Sequence, residues 1–174
     1  MVDRVAVRLM ALPGIPQAFA VEDAKELTQK LWWEIEAYRD EPSLQSKLWR
    51  AFNCAVTAWC ITDWVWKEQH KAKGMKEDDW QKLAQSRCLE LRLCKYIANA
   101  SKHGGVDRSP DSTINVIVRA TDAPASSSDD VSHSSHWEIM VSNNSGDQDA
   151  LKVFYKVHDF WMSQVYAVPP ETSQ

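Results

Sequence analysis

The hydrophobic positions of the chain change period several times, and each change marks an element. Val5, Val7 and Leu9 alternate with Ala6, Arg8 and Met10, which predicts a short strand over residues 3–10. Pro13, Gly14 and Pro16 then break the chain. From Glu22–Asp23 onward Ala24, Leu27, Leu31, Ile35 and Tyr38 fall at steps of three and four, the spacing of one helix face. Acids in that first turn suit the helix dipole. Glu41–Pro42–Ser43 ends this helix and offers Ser43 as a cap for the next.

The second helix is expected from about Ser43 to His70. Leu48, Phe52, Ala55, Val56, Trp59 and Trp66 form its main apolar stripe, widened by Trp49, Cys60 and Trp64. A helix apolar over most of its circumference belongs at the centre of a bundle. After a turn at Lys71, Lys73 and Gly74, a third helix is expected from about Glu77 to His103, stopped by Gly104–Gly105. Ser112–Arg119 and His136–Val141 read as two strands joined by a polar, Ser-rich hairpin loop. A last helix, opened by Gly146–Asp147, carries Leu151, Phe154, His158, Trp161 and Val165 on one face. The fold class that follows is mainly α: a four-helix bundle with a small β-hairpin at about 112–142 inserted before the last helix. One domain spans 1–168, and residues 169–174 form a flexible tail.

Composition narrows the picture without changing it. A chain of 174 residues with 44% apolar residues can bury an ordinary core and needs no staple. No CxxC or CxxH spacing occurs, so Cys54, Cys60, Cys88 and Cys94 read as reduced core cysteines, and neither a metal nor a cofactor is expected. His133-x-x-His136 in the Ser-rich loop is too sparse for a metal set. GxxxxGK, GxGxxG, HExxH and GxSxG are all missing, which disfavours nucleotide-fold, zinc-protease and serine-hydrolase chemistry. No apolar run reaches the ~20 residues that cross a bilayer. The opening residues carry acids and prolines where a secretory leader needs an apolar core. The chain therefore reads as cytoplasmic, with no membrane partner.

Charge changes the picture more. Residues 1–41 carry five bases and eight acids, 42–108 twelve and seven, and 109–174 three and nine. A middle segment at +5 sits inside a molecule at −4. That local excess can meet phosphate, although the whole molecule does not steer toward it. The third helix concentrates this chemistry. Arg92, Lys95, Asn99 and His103 fall within an arc of about 80° on a helical wheel, and Lys95, Asn99 and His103 stack at i, i+4 and i+8. Leu83, Leu89, Leu93, Ile97 and Ala100 occupy the other side. Cations that hold a phosphate, an amide that orients it and an imidazole that moves a proton are what phosphodiester chemistry uses. The same row also fits a plain solvated helix face.

Asp63 lies among Trp59, Ile61, Trp64, Val65 and Trp66, where a lone carboxylate is costly unless paired. Lys95, Arg92 or His103 are its expected partners, either to hold the bundle or to orient the histidine. Seven of the nine tryptophans fall between Trp32 and Trp80. At helical spacing they read as core or interface more readily than as base-stacking platforms.

The segment CKYIANASKHGG, following FNCAVTAWCITDWVW, resembles the HEPN superfamily of small helical bundles, over residues 20–105 and the last helix. Asn99 and His103 match the Asn and His of that family's arginine–polar–x–x–x–histidine signature, while Ala98 stands where its arginine would be. The resemblance implies a metal-independent endoribonuclease or RNA-binding protein of a defence or toxin–antitoxin type system, acting as a homodimer. It implies His103, Asn99 and Lys95 as catalytic residues, Arg92 and Lys102 as substrate-binding residues, and Asp63 in support. The rival is a non-catalytic bundle whose aromatic surface binds itself or a partner protein.

Overall fold

The computed structural model describes residues 21–102, 115–121, 136–143 and 146–166. The strand expected at 3–10, the Ser-rich loop, His103 and the tail from 169 lie outside them. The first helix, α1 (Ala24–Arg39), begins where Asp23 Oδ1 accepts from the Glu26 amide at 2.8 Å. Its inner face buries Ala24, Leu27, Thr28, Leu31, Ile35 and Tyr38. α2 (Leu44–Val65) is the central helix, with Ala51, Cys54, Ala55 and Ala58 turned inward so that neighbours approach closely. Ser43 takes the N-cap position without a side-chain cap bond. Its amide donates instead to Glu41 Oε1 at 3.1 Å.

The second helix does not run straight to His70. Residues Trp66–His70 widen into a π turn, followed by a 3₁₀ turn at Lys71–Lys73 and by Gly74 at φ 78°, a left-handed position that suits glycine. The π turn aims two side chains at neighbouring helix ends. Glu68 Oε1 accepts from the Ala24 amide at 2.8 Å, placing a carboxylate at the start of α1. Gln69 Nε2 donates to the Gln164 carbonyl at 3.3 Å. Trp66 Nε1 ties the turn to the Met75 carbonyl at 2.9 Å.

The expected third helix is two helices, α3 (Glu77–Arg87) and α4 (Glu90–Lys102), separated where Cys88 adopts an extended conformation. No glycine or proline marks this break. It falls between two stretches of similar apolar spacing, and a wheel cannot register it. Leu89, expected on the inner side, sits in the break and is 65% exposed.

The hairpin before the last helix is present as β1 (Asn115–Thr121) and β2 (His136–Asn143), antiparallel, with Val116 opposite Val141 and Val118 opposite Ile139. A third strand, β3 (Gly146–Asp149), extends it in the order β1-β2-β3 where the last helix was expected to start. α5 (Ala150–Val165) begins after it, with Asp149 Oδ1 accepting from the Leu151 amide at 3.0 Å. Ile139 and Val141 alternate inward onto the core, and Phe154 of α5 meets Tyr38 edge-on at 5.5 Å. The protein is thus mainly α, with a small antiparallel sheet ahead of its last helix.

Two fully buried indoles fix the other helices to α2. Trp80 Nε1 of α3 donates to the Thr62 carbonyl and Trp161 Nε1 of α5 to the Ala58 carbonyl, each at 2.9 Å. Trp161→Ala is expected to cost about 3–5 kcal/mol in urea denaturation, whereas Trp33→Ala, at a position 74% exposed, stays within about 0.5 kcal/mol.

His70 stacks on Trp80 with ring centroids 4.0 Å apart. Burial, and then the nearby Lys73 and Arg87, push its pKa below the ordinary 6.5. Because the unfolded chain then binds this proton more readily, the contribution is complete above about pH 6.5 and is lost as pH falls below it. Unfolding free energy is expected to drop between pH 7.5 and 5.5, and His70→Phe is expected to flatten that drop.

Candidate functional site

α4 lies against α2 and turns Leu91, Leu93, Cys94 and Ala98 into the core. The polar row follows on its other side, with Arg92 exposed and Lys95 and Asn99 half-buried. Lys95 Nζ sits 5.0 Å from the centroid of the Trp59 ring, which is itself buried. A cation over an indole is held by the ring's quadrupole, so Lys95 is positioned by packing rather than by a carboxylate. Lys102 closes α4, and His103 lies just beyond the described residues.

Asp63 stands one turn after Trp59 on α2 and is half-buried. Its Oδ1 accepts from Gln81 Nε2 of α3 at 3.5 Å, and the same amide reaches Glu77 Oε1 at 3.4 Å. The carboxylate expected to meet the α4 cations therefore meets an α3 amide, since the break after Arg87 brings α3 to this stretch of α2. Arg92 and Lys95 are brought together on α4, i and i+3. Two cations one turn apart beside an amide can hold an anion along this edge.

Ala98, where the family signature places an arginine, is 1% exposed. That position faces the core, so cationic chemistry on α4 has to come from Lys95 or Arg92 on the outer side. Among the described residues no group of three His, Cys, Asp or Glu is arranged to hold a metal ion. No helix among them is long and apolar enough to cross a membrane. None of the four cysteines is in a disulfide, and burial raises the thiols of Cys54, Cys88 and Cys94.

A second cluster lies between α1 and α5. Trp32, 40% exposed, covers the buried His158 ring at 5.1 Å and the Tyr155 ring at 5.8 Å. Tyr155 donates to Glu36 Oε1 at 2.9 Å, and Arg39 pairs with Glu36 Oε2 at 2.7 Å. His158 Nδ1 is sealed without a hydrogen-bond partner, 3.5 Å from Asp159 Oδ1. The sequence placed His158 on the apolar face of the last helix, but Trp32 as its cover could not be read from an adjacent Trp32–Trp33 pair. No protein-family model matches the chain, and neither a curated protein nor a solved structure matches it.

An arginine at position 98 is expected to harm this protein. Ala98→Arg places an uncompensated charge in the core and should cost about 3–5 kcal/mol, seen as a lowered midpoint in thermal unfolding, with no gain in RNA binding.

Proposed function

We propose that this protein is a HEPN-like bundle that binds and cleaves RNA as a homodimer, in a defence or toxin–antitoxin type system, through the outer face of α4. The observation that carries this reading is Lys95 seated on the Trp59 ring, with Arg92 and Asn99 beside it on the same solvent side. A cation fixed on an aromatic floor lies ready to oppose charge that grows on a phosphate, without the entropy loss of ordering a free lysine. In the reaction the ribose 2′-oxygen attacks phosphorus and the 5′-oxygen leaves. His103, four residues after Asn99 in the chain, takes the proton from the 2′-hydroxyl or gives one to the leaving oxygen. Lys95 stabilises the phosphorane, Asn99 orients the phosphate, and Arg92 and Lys102 hold the strand.

A second reading has its own support. Trp33 is 74%, Trp49 62% and Leu89 65% exposed, more apolar surface than a solvated helix face needs. A non-catalytic bundle that presents these residues to another protein accounts for them directly.

The test incubates the full chain with mixed RNA in chelator. Cleavage is expected, with His103→Ala abolishing it and Lys95→Ala lowering it about tenfold or more, equivalent to at least ~1.4 kcal/mol, while the helical circular-dichroism signal stays unchanged. RNA left intact and unbound by the wild-type chain overturns this reading in favour of the second.

A further inference from the structure

The irregular end of α2 carries cations that the proposed function does not use. Residues 66–76, from the π turn to the threshold of α3, hold four lysines and one acid. That acid, Glu68, is turned to the Ala24 amide, and Lys71 is held over the Trp66 ring at 5.6 Å. His70, Lys73 and Arg87 form the centre of the cluster. Among the described residues neither Lys73 nor Arg87 has an ion pair.

Local structure brings the three together. Residues three apart in a 3₁₀ turn eclipse each other, which sets Lys73 over His70. The turn is closed by the Gly74 amide, which donates to the Lys71 carbonyl at 3.1 Å, and by the Met75 amide, which donates to the His70 carbonyl at 3.3 Å. His70 is fixed in turn by its stack on Trp80, whose indole N–H is tied to the Thr62 carbonyl. Arg87 follows Trp80 by seven residues, two turns along the same face of α3. Both cations act on the imidazole, and together with burial they disfavour its protonated form.

The carboxylates of the surrounding elements are engaged elsewhere or stand apart. Asp63 and Glu77 meet the Gln81 amide, and Glu90 pairs with Lys156. Asp78 and Asp79 sit in the first turn of α3, at the other end of that helix from Arg87. The ring nitrogens of His70 make no hydrogen bond with the described residues, and neither is sealed from solvent. A fixed imidazole edge beside two cations without counter-charges is completed by an anion. Two permanent charges and a third that forms on demand suit a dianion better than a carboxylate. A guanidinium fork, an ammonium and an imidazole N–H approach from three directions, and a terminal phosphate offers three oxygens to meet them. A phosphodiester, with one charge and two free oxygens, leaves one of these donors without a partner.

We propose that His70, Lys73 and Arg87 form a binding site for a phosphate monoester dianion, on residues other than the α4 row. The site does not rest on the proposed function. Its ligand is presented by a small phosphorylated molecule or by the 5′ end of a nucleic-acid strand. The bound dianion offsets the repulsion among Lys73, Arg87 and a protonated His70, so anion and proton favour each other's binding.

The experiment titrates the full chain with sulfate, a dianion throughout the pH range used, and follows the His70 ring by NMR. The His70 resonances are expected to move to saturation, and the midpoint of the ring's titration to move to higher pH. Sulfate affinity is expected to rise about threefold or more from about pH 8 to about pH 6. His70→Phe, which keeps an aromatic ring on Trp80, is expected to abolish that rise. Lys73→Ala and Arg87→Ala, both on the surface, should each weaken binding about tenfold, and Lys152→Ala on α5 should leave it unchanged. A 5′-phosphorylated deoxyoligonucleotide that displaces sulfate better than its 5′-hydroxyl form assigns the phosphate to a strand end. Displacement by glycerol phosphate, with both oligonucleotides ineffective, assigns it to a small molecule. A His70 resonance unmoved by sulfate, or binding indifferent to the loss of Lys73 and Arg87 together, overturns the proposal. Equal affinity for the two oligonucleotides, lost with those cations, also overturns it, because the site then reads the diester backbone.

Discussion

The structure depends on what happens to two indole N–H groups. Trp80 and Trp161 are fully buried, and a buried donor without an acceptor is costly. Both find backbone carbonyls one turn apart on α2, at Thr62 and Ala58. That requirement fixes the height of α3 and α5 on the central helix more tightly than apolar packing does, because a carbonyl accepts over a few tenths of an ångström whereas a greasy surface tolerates sliding. Small residues at Ala51, Cys54, Ala55 and Ala58 make room for the two large rings to reach the backbone. The side chains and the carbonyls of α2 thus act together, and the rest of the bundle is arranged around them.

The end of α2 shows the same economy of polar groups. A regular helix through Trp66–His70 would carry Glu68 and Gln69 around at the ordinary pitch. The wider π turn holds them where Glu68 meets the first amide of α1 and Gln69 meets a carbonyl near the end of α5. Helix ends leave such groups without partners inside their own helix, so each bond satisfies a group that would otherwise need water. One irregular turn therefore clasps the first and last helices of the bundle. His70, the last residue of that turn, stacks on Trp80, and burial, with Lys73 and Arg87 nearby, holds its pKa below the ordinary value.

How far the sequence was legible follows from which physics each feature uses. Apolar period located α1, the body of α2, the hairpin and α5, because burial of one face is a local and repeated demand. It could not locate the break at Cys88, which carries no glycine or proline, nor the strand Gly146–Asp149. That strand reads GDQD, with no apolar residue, and exists by pairing with β2. The wheel put Arg92, Lys95 and Asn99 on one side of α4, and they lie there. It could not supply the contacts between helices: Trp59 beneath Lys95, Gln81 at Asp63, or Trp32 over His158. Those are set by relative helix placement, which a single-helix projection does not contain.

The two faces of α2 place opposite demands on one helix, and the position of the α4 cations follows from that conflict. The inner face must stay small and dry to receive Trp80 and Trp161, so α4 can turn only residues such as Leu91, Cys94 and Ala98 toward it. A long cation at Ala98 has no place there. Charge on α4 is therefore displaced to the outer side, where Lys95 meets the first large aromatic ring at the edge of the core, Trp59. The cation comes to rest on that ring, at the border of the buried face. Its location is a result of packing, and whatever chemistry α4 performs has to be carried out from that border.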